Sequence, residues 1–154
     1  MQAIRDFRYL THNRNKLSAE QVQALQFKEL QQLLEFVKEN SPFYRDDARY
    51  QPIKTWDDFY HLPTMNKSIM MENFSTLNTC GLQKDETMAY ALEKEKNKDY
   101  LGYYKGEYVI GLSSGTSGNK GLFITPKSMT KRLPGVFLAR GGVMISDLPA
   151  RILF

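Results

Sequence analysis

The sequence predicts an α/β fold in which helices come first and the first strands of a mixed sheet follow. Residues 18–40 combine a helix-start signal with apolar residues at helical spacing. After Asp99 the chain changes to short aromatic and β-branched runs separated by tight-turn residues, a pattern typical of strands. We therefore expect one domain over residues 1–154, mainly helical over 1–99 and strand–loop–strand over 100–154.

Two helices are predicted within the first forty residues. Ser18 with Gln21 three positions later forms a capping-box pattern, which marks the start of the longer helix. This helix should end near Asn40, because Ser41 precedes a proline and such residues avoid helical angles. The apolar residues at helical spacing are Ile4, Phe7 and Leu10 in the first helix, and Val22, Leu25, Leu30, Leu33, Leu34 and Val37 in the second.

Short elements are predicted between the long helix and the strands. Residues 41–45 are interpreted as a turn with two aromatic anchors. Thr55 and Asn66 are N-cap residue types, so we expect a helix from Thr55 to Phe59 and another from Asn66 to Phe74.

The charged segment that follows is predicted to be a helix opened by Asp85. Its end, residues 93–98, alternates acidic and basic residues and is most simply a solvated helix face. Three strands are expected after it: 100–104, 107–112 and 122–125.

Breaks dominate the predicted structure beyond the third strand. Ser128 is expected to cap a helix that Pro134 and Gly135 interrupt early. Gly141 and Gly142 form another break, and residues 151–154 resemble the start of an apolar strand.

Composition excludes several function classes. The single cysteine, Cys80, rules out an internal disulfide and any CxxC pattern, and His12 and His61 show no ligand spacing. We therefore expect no protein-built metal site. No run approaches the roughly 20 apolar residues of a membrane helix, and no signal-peptide pattern follows the N-terminus. A cytoplasmic protein without a membrane partner is the expectation.

One loop has the composition of a phosphate-binding site. Glycine lets the backbone approach a ligand closely, successive backbone N–H groups can form an anion-binding nest, and a lysine adds a mobile positive charge. The predicted ATP-phosphate-binding residues are Ser113, Ser114, Gly115, Thr116, Ser117, Gly118, Asn119, Lys120 and Gly121.

The loop differs from the two commonest nucleotide motifs. A Walker loop needs Gly-Lys followed directly by Ser or Thr, whereas Lys120 follows Asn119 and precedes Gly121. The GxGxxG spacing of dinucleotide-binding folds is also absent. A Gly/Ser/Thr cluster between strands is equally typical of a flexible turn, and composition alone leaves that alternative open.

The residues 114–121 resemble the phosphate-binding signature of the adenylate-forming superfamily, although the usual proline before the lysine is missing. Upstream, residues 33–45 resemble the helix and SPFYR-like turn of phenylacetate–coenzyme A ligases. Leu62-Pro63 followed by Asn66-Lys67 resembles the Leu-Pro…Lys segment of the same proteins. The segment from 111 to 123 looks most like the coenzyme-F synthetase-related, capsule-type members of that branch.

The resemblance implies an ATP-dependent ligase that joins a carboxylic acid to AMP and releases pyrophosphate. It implies Mg²⁺ with the ATP, and coenzyme A as a possible acyl acceptor. Family members are much longer, so this chain would be an incomplete N-terminal part that is inactive alone. Their catalytic residues would lie beyond it and are unknown here. The ending at residues 151–154 favours a truncated product.

Two other functions remain open from the residues. One is a non-catalytic remnant or helical interaction module formed by the N-terminal helices. The other, less expected, is a small basic nucleic-acid-binding protein that stacks bases on tyrosines. Its features would be Tyr100, Tyr103, Tyr104 and Tyr108 together with a basic C-terminal third. From Tyr108 to the end of the sequence the cations are Lys120, Lys127, Lys131, Arg132, Arg140 and Arg151, and the single acid is Asp147.

Overall fold

A computed structural model describes residues 2–13, 16–114 and 120–141. The described part contains helices and one antiparallel pair of strands, with most helices before the strands as the sequence predicts. The mixed sheet stays a prediction. The elements are α1 (Gln2–Asn13), α2 (Ala19–Asn40), α3 (Pro42–Asp46), α4 (Trp56–Tyr60), α5 (Lys67–Glu72), α6 (Phe74–Leu77), α7 (Lys84–Asn97), β1 (Tyr108–Leu112), β2 (Leu122–Pro126), α8 (Lys127–Thr130) and α9 (Leu133–Arg140).

The long helix α2 begins as its capping box predicts. The Gln21 backbone N–H donates to Ser18 Oγ at 3.3 Å, and the Ser18 N–H donates to Gln21 Oε1 at 2.8 Å. The helix ends at Asn40, as predicted. No residue of α2 is buried, and Leu33 and Phe36 are 55% and 50% exposed. This helix therefore lies on the surface with part of its apolar face uncovered.

The caps predicted for the short helices are also present. Thr55 Oγ1 accepts from the Asp58 N–H at 3.2 Å, and Asn66 Oδ1 accepts from the Ile69 N–H at 2.9 Å. The prediction of a turn at residues 41–45 is wrong, because this segment begins the short helix α3. Pro42 suits its first turn, where a backbone N–H would have no helical partner.

The predicted helix from Asn66 to Phe74 is two helices. The backbone leaves helical geometry at Asn73, where α5 ends and α6 begins. The Asn73 side-chain amide donates to the Ile69 carbonyl at 2.9 Å. Asparagine makes such local bonds with the backbone, and they compete with a continuous helix.

The first predicted strand, residues 100–104, is wrong. Gly102 has a φ of 89°, which interrupts an extended run, and only Tyr104 forms a bridge, to Tyr108. The turn between these two tyrosines includes Gly106 at a φ of 74°.

The strands that frame the predicted phosphate loop pair with each other. β1 and β2 are antiparallel, and their register runs from Tyr108 opposite Pro126 to Leu112 opposite Leu122. The last pair of the register lies directly beside the loop. The hairpin thus holds the beginning and the end of the loop at adjacent positions.

The helical region after β2 differs from its prediction. The helix α8 begins at Lys127, without a side-chain cap from Ser128. The break falls at residues 131–132, and Pro134 and Gly135 lie in the first turn of α9, where proline is tolerated. Gly141 follows the last residue of α9, as predicted. The predictions for Gly142 and residues 151–154 lie outside the described residues.

A small apolar core anchors the hairpin to the helices. The Leu122 backbone N–H at the start of β2 lies 3.3 Å from Met71 Sδ of α5. Burial of these side chains ties β2 to α5, α6 and α7. The buried members of this core are Met71, Phe74, Leu82, Ala91 and Leu122.

The N-terminal helix α1 packs on α9. Gly135 is buried at the contact, and a Cβ atom on it would lie only 2.0 Å from the Ala3 carbonyl oxygen. Arg132 Nε and Asp6 Oδ2 form an ion pair at 3.0 Å beside this contact. The helix that starts the chain therefore covers the segment that follows the hairpin.

Acid is expected to destabilise the fold partly through Asp47. Hydrogen bonds from the Arg49 side chain and N–H lower the pKa of Asp47 from 3.8 to about 2. Because the folded pKa is below the unfolded one, this stabilisation is present above pH ~4 and is lost as pH falls towards ~2. Hydrogen bonds also lower the pKa values of Asp58 and Asp99.

Urea unfolding of wild type and Asp47→Asn between pH 6 and pH 2.5 measures this contribution. We expect the wild type to be the more stable of the two at pH 6, and the difference to shrink towards pH 2.5. A difference that is constant with pH would contradict the role of Asp47.

Candidate functional site

The two ends of the predicted phosphate loop are joined by hydrogen bonds. The Ser113 N–H donates to the Gly121 carbonyl oxygen at 2.9 Å, and the Gly121 N–H donates to Ser113 Oγ at 2.7 Å. These two N–H groups are therefore engaged within the protein. Ser113 and Gly121 therefore brace the two ends of the predicted loop.

The structure brings together three of the nine predicted site residues, namely Ser113, Lys120 and Gly121. Ser114 follows the brace and is exposed. The other predicted positions, Gly115, Thr116, Ser117, Gly118 and Asn119, lie outside the described residues. The role of all nine residues in phosphate binding stays a prediction.

Gly121 occupies a crowded position at the base of the loop. A Cβ atom there would lie 3.1 Å from Lys67 Cε and 3.3 Å from Ser113 Oγ. Lys67 is the first residue of α5, and its side chain reaches across to the loop. The Leu-Pro…Asn-Lys segment drew attention to Lys67 in the sequence, but only the fold places it here.

Lys120 forms an ion pair with Glu95, near the C-terminal end of α7. The Lys120 side chain is 32% exposed and the Glu95 side chain 48% exposed, so solvent and ligands can reach the pair. The alternating charges at 93–98 are therefore not all a solvated face. Sequence reasoning missed Glu95 because 25 residues separate it from Lys120.

A cavity of about 280 Å³ lies beside this ion pair. Glu95 is one of its wall residues, and Lys94 and Asp99, also on the wall, are joined at 2.5 Å. This hydrogen bond raises the pKa of Lys94 and lowers that of Asp99. The cavity is near the small end of the range for ligand sites. The remaining lining residues are Tyr90, Ala91, Tyr100, Leu101, Gly102, Val109, Ile110, Gly111 and Leu112.

The four tyrosines considered for base stacking differ in their contacts. Tyr104 packs on Tyr90 with ring centroids 4.5 Å apart, and both Tyr104 and Tyr108 pack against the apolar core. A hydrogen bond with the Cys80 thiol raises the pKa of Tyr108. Tyr103 lies under Lys127, whose Nζ is 4.8 Å from the ring centroid, and Tyr100 is 76% exposed. They do not form one continuous stacking surface.

The described residues do not fit a protein-built magnesium site. They contain no group of three or more His, Cys, Asp or Glu side chains placed to hold a metal ion. Glu95, a carboxylate beside the loop, is already bound to Lys120. None of the helices in the described ranges has the length and apolar character needed to span a membrane.

Comparisons with known proteins give no match to this chain. No protein-family model matches it, and neither a curated protein nor a solved structure does so.

Proposed function

We propose that this chain provides the ATP-phosphate-binding loop of a carboxylate-activating, adenylate-forming ligase. The observation that carries the proposal is the braced hairpin loop with Lys120 at its end and Lys67 beside it. Lys120 belongs to the glycine- and hydroxyl-rich loop, and the Lys67 side chain reaches Gly121 at the base of this loop from α5. Lysine ammonium groups and backbone N–H groups are the usual protein ligands of polyphosphate.

The proposed reaction joins a carboxylate oxygen of the acid to the α-phosphorus of ATP and breaks the bond to pyrophosphate. Negative charge grows on the departing pyrophosphate. Lys120, Lys67 and the loop donors would bind the β- and γ-phosphates and stabilise that charge, each contributing a few kcal/mol. The proposed share of this chain is binding and orientation, and we expect no turnover from it alone. A thiol such as coenzyme A would take the acyl group afterwards.

Tripolyphosphate is a suitable probe, because it carries the phosphate chain without the nucleoside. Two-dimensional ¹H–¹⁵N NMR of the labelled chain at low ionic strength would locate the binding. We expect saturable shifts at Ser113, Lys120 and Gly121, which weaken as salt is added. Shifts confined to other regions, or none at millimolar ligand, would contradict the proposal.

ATP–pyrophosphate exchange distinguishes binding from catalysis. We expect the chain to bind tripolyphosphate but to show no exchange above background with carboxylic acids. Exchange that requires an acid would show that the chain is more complete than proposed.

A helical interaction module is the second candidate. It is favoured by the uncovered face of α2 and by an adjacent groove of about 570 Å³. Apolar and aromatic residues predominate in this groove, including Leu33, Val37 and Tyr60. Self-association detected by sedimentation velocity, together with an absence of tripolyphosphate binding, would favour this candidate over the ligase.

A further inference from the structure

We propose that Glu95 is a built-in competitor for the phosphate site, which holds Lys120 until a polyphosphate displaces its carboxylate. This inference deepens the proposed function and depends on it. Before a ligand binds, Lys120 is paired with Glu95. Binding would then be an exchange of one anionic partner of Lys120 for another.

The positions of both partners support this exchange. Glu95 belongs to α7, which Thr87 and Ala91 anchor in the protein interior with 0% and 4% exposure. Lys120 adjoins Gly121, whose backbone is held by the brace to Ser113. The pair therefore joins two elements whose backbones are separately fixed.

Among the charged side chains of the described residues, Lys120 is the ion-pair partner of Glu95. Lys94, one of the two lysines that flank Glu95 in the sequence of α7, is bound to Asp99 at 2.5 Å. Glu93 also lies on α7, two residues before Glu95. Its side chain therefore leaves the helix about 200° round the axis from that of Glu95, and it is exposed. Glu93 therefore offers a matched control, with the same charge on the same helix but away from the loop.

The exposure of the pair makes displacement feasible. About half of the Glu95 side chain contacts solvent, so its carboxylate can be rehydrated when it leaves Lys120. Ion pairs of this kind change an equilibrium by only about twofold to fivefold. A phosphate chain that also contacts Lys67 and the loop donors can overcome such a competitor.

Isothermal titration with sodium tripolyphosphate tests the proposal in wild type, Glu95→Gln and Glu93→Gln. We expect Glu95→Gln to tighten binding by about twofold to fivefold. Glu93→Gln should change it by less than about 1.5-fold, since an exposed charge further away is screened. Circular dichroism melting would verify that all three proteins are folded.

A double-mutant cycle separates the pair from a general charge effect. In a Lys120→Ala background, Glu95→Gln should have no more effect than Glu93→Gln. If Glu95→Gln and Glu93→Gln change the tripolyphosphate affinity of the otherwise wild-type protein equally, the role of Glu95 is overturned and the proposed function still stands. No binding in any variant would overturn the proposed function, and this inference with it.

Discussion

Lys120→Ala is expected to weaken tripolyphosphate binding by about tenfold to a hundredfold. Lys120 is the predicted site lysine, and its side chain, paired with Glu95, is accessible to solvent. Hydrogen bonds to charged groups contribute about 1.5–3 kcal/mol, which corresponds to this range of affinity. Titration calorimetry at one fixed salt concentration would measure the loss.

Lys131→Ala is the matched control for this prediction. Lys131 is exposed in the turn between α8 and α9, and its substitution removes the same charge from the chain. We expect its effect on binding to be small, because exposed charges away from a site are screened by salt. Equal losses in the two variants would indicate nonspecific attraction to a basic protein rather than a site at the loop.

Gly135→Ala is expected to destabilise the fold by about 1–3 kcal/mol, the usual cost of overpacking. Alanine normally stabilises a helix relative to glycine. A loss of stability in Gly135→Ala would therefore indicate a steric clash at the contact of α1 with α9. The added Cβ would lie 2.0 Å from the Ala3 oxygen and 2.8 Å from its carbonyl carbon. These are backbone atoms, so α1 as a whole would have to move.

Thermal unfolding would register this as a fall in Tm of about 2–12 °C, given roughly 2–4 °C per kcal/mol. Gly111→Ala is the control, because its Cβ would make only an ordinary contact of 3.8 Å with Phe123 Cβ. Faster tryptic cleavage at Arg5 and Arg8 in Gly135→Ala would show release of α1. A raised Tm in that variant would refute the close packing of α1 on α9.

Local signals predicted the helix starts well. The side chains of Ser18, Thr55 and Asn66 bond to backbone groups within three residues, so the pattern and its structure lie in one short segment. Two of the failures, the strand at residues 100–104 and the single helix from Asn66 to Phe74, have a common cause. Gly102 and Asn73 interrupt elements through their own backbone angles, and composition over a longer window hides such single-residue effects.

The loop was predictable from composition, but its surroundings were not. Ser113 and Gly121 brace each other because the strand register places them side by side, which the sequence does not state. Lys67 and Glu95 reach the loop from α5 and α7, through packing of a shared apolar core. Contacts between residues far apart in sequence require the tertiary fold.

The docking of α1 on α9 also bears on how the chain folds during synthesis. Ala3 and Gly135 are joined across most of the described chain. A ribosome adding about 5–20 residues per second needs roughly 7–26 s between them. For that interval the first helix is without its partner, so its apolar residues are open to chaperones. The packing of α1 on α9 is consequently a late folding step, which follows the synthesis of the β1–β2 hairpin.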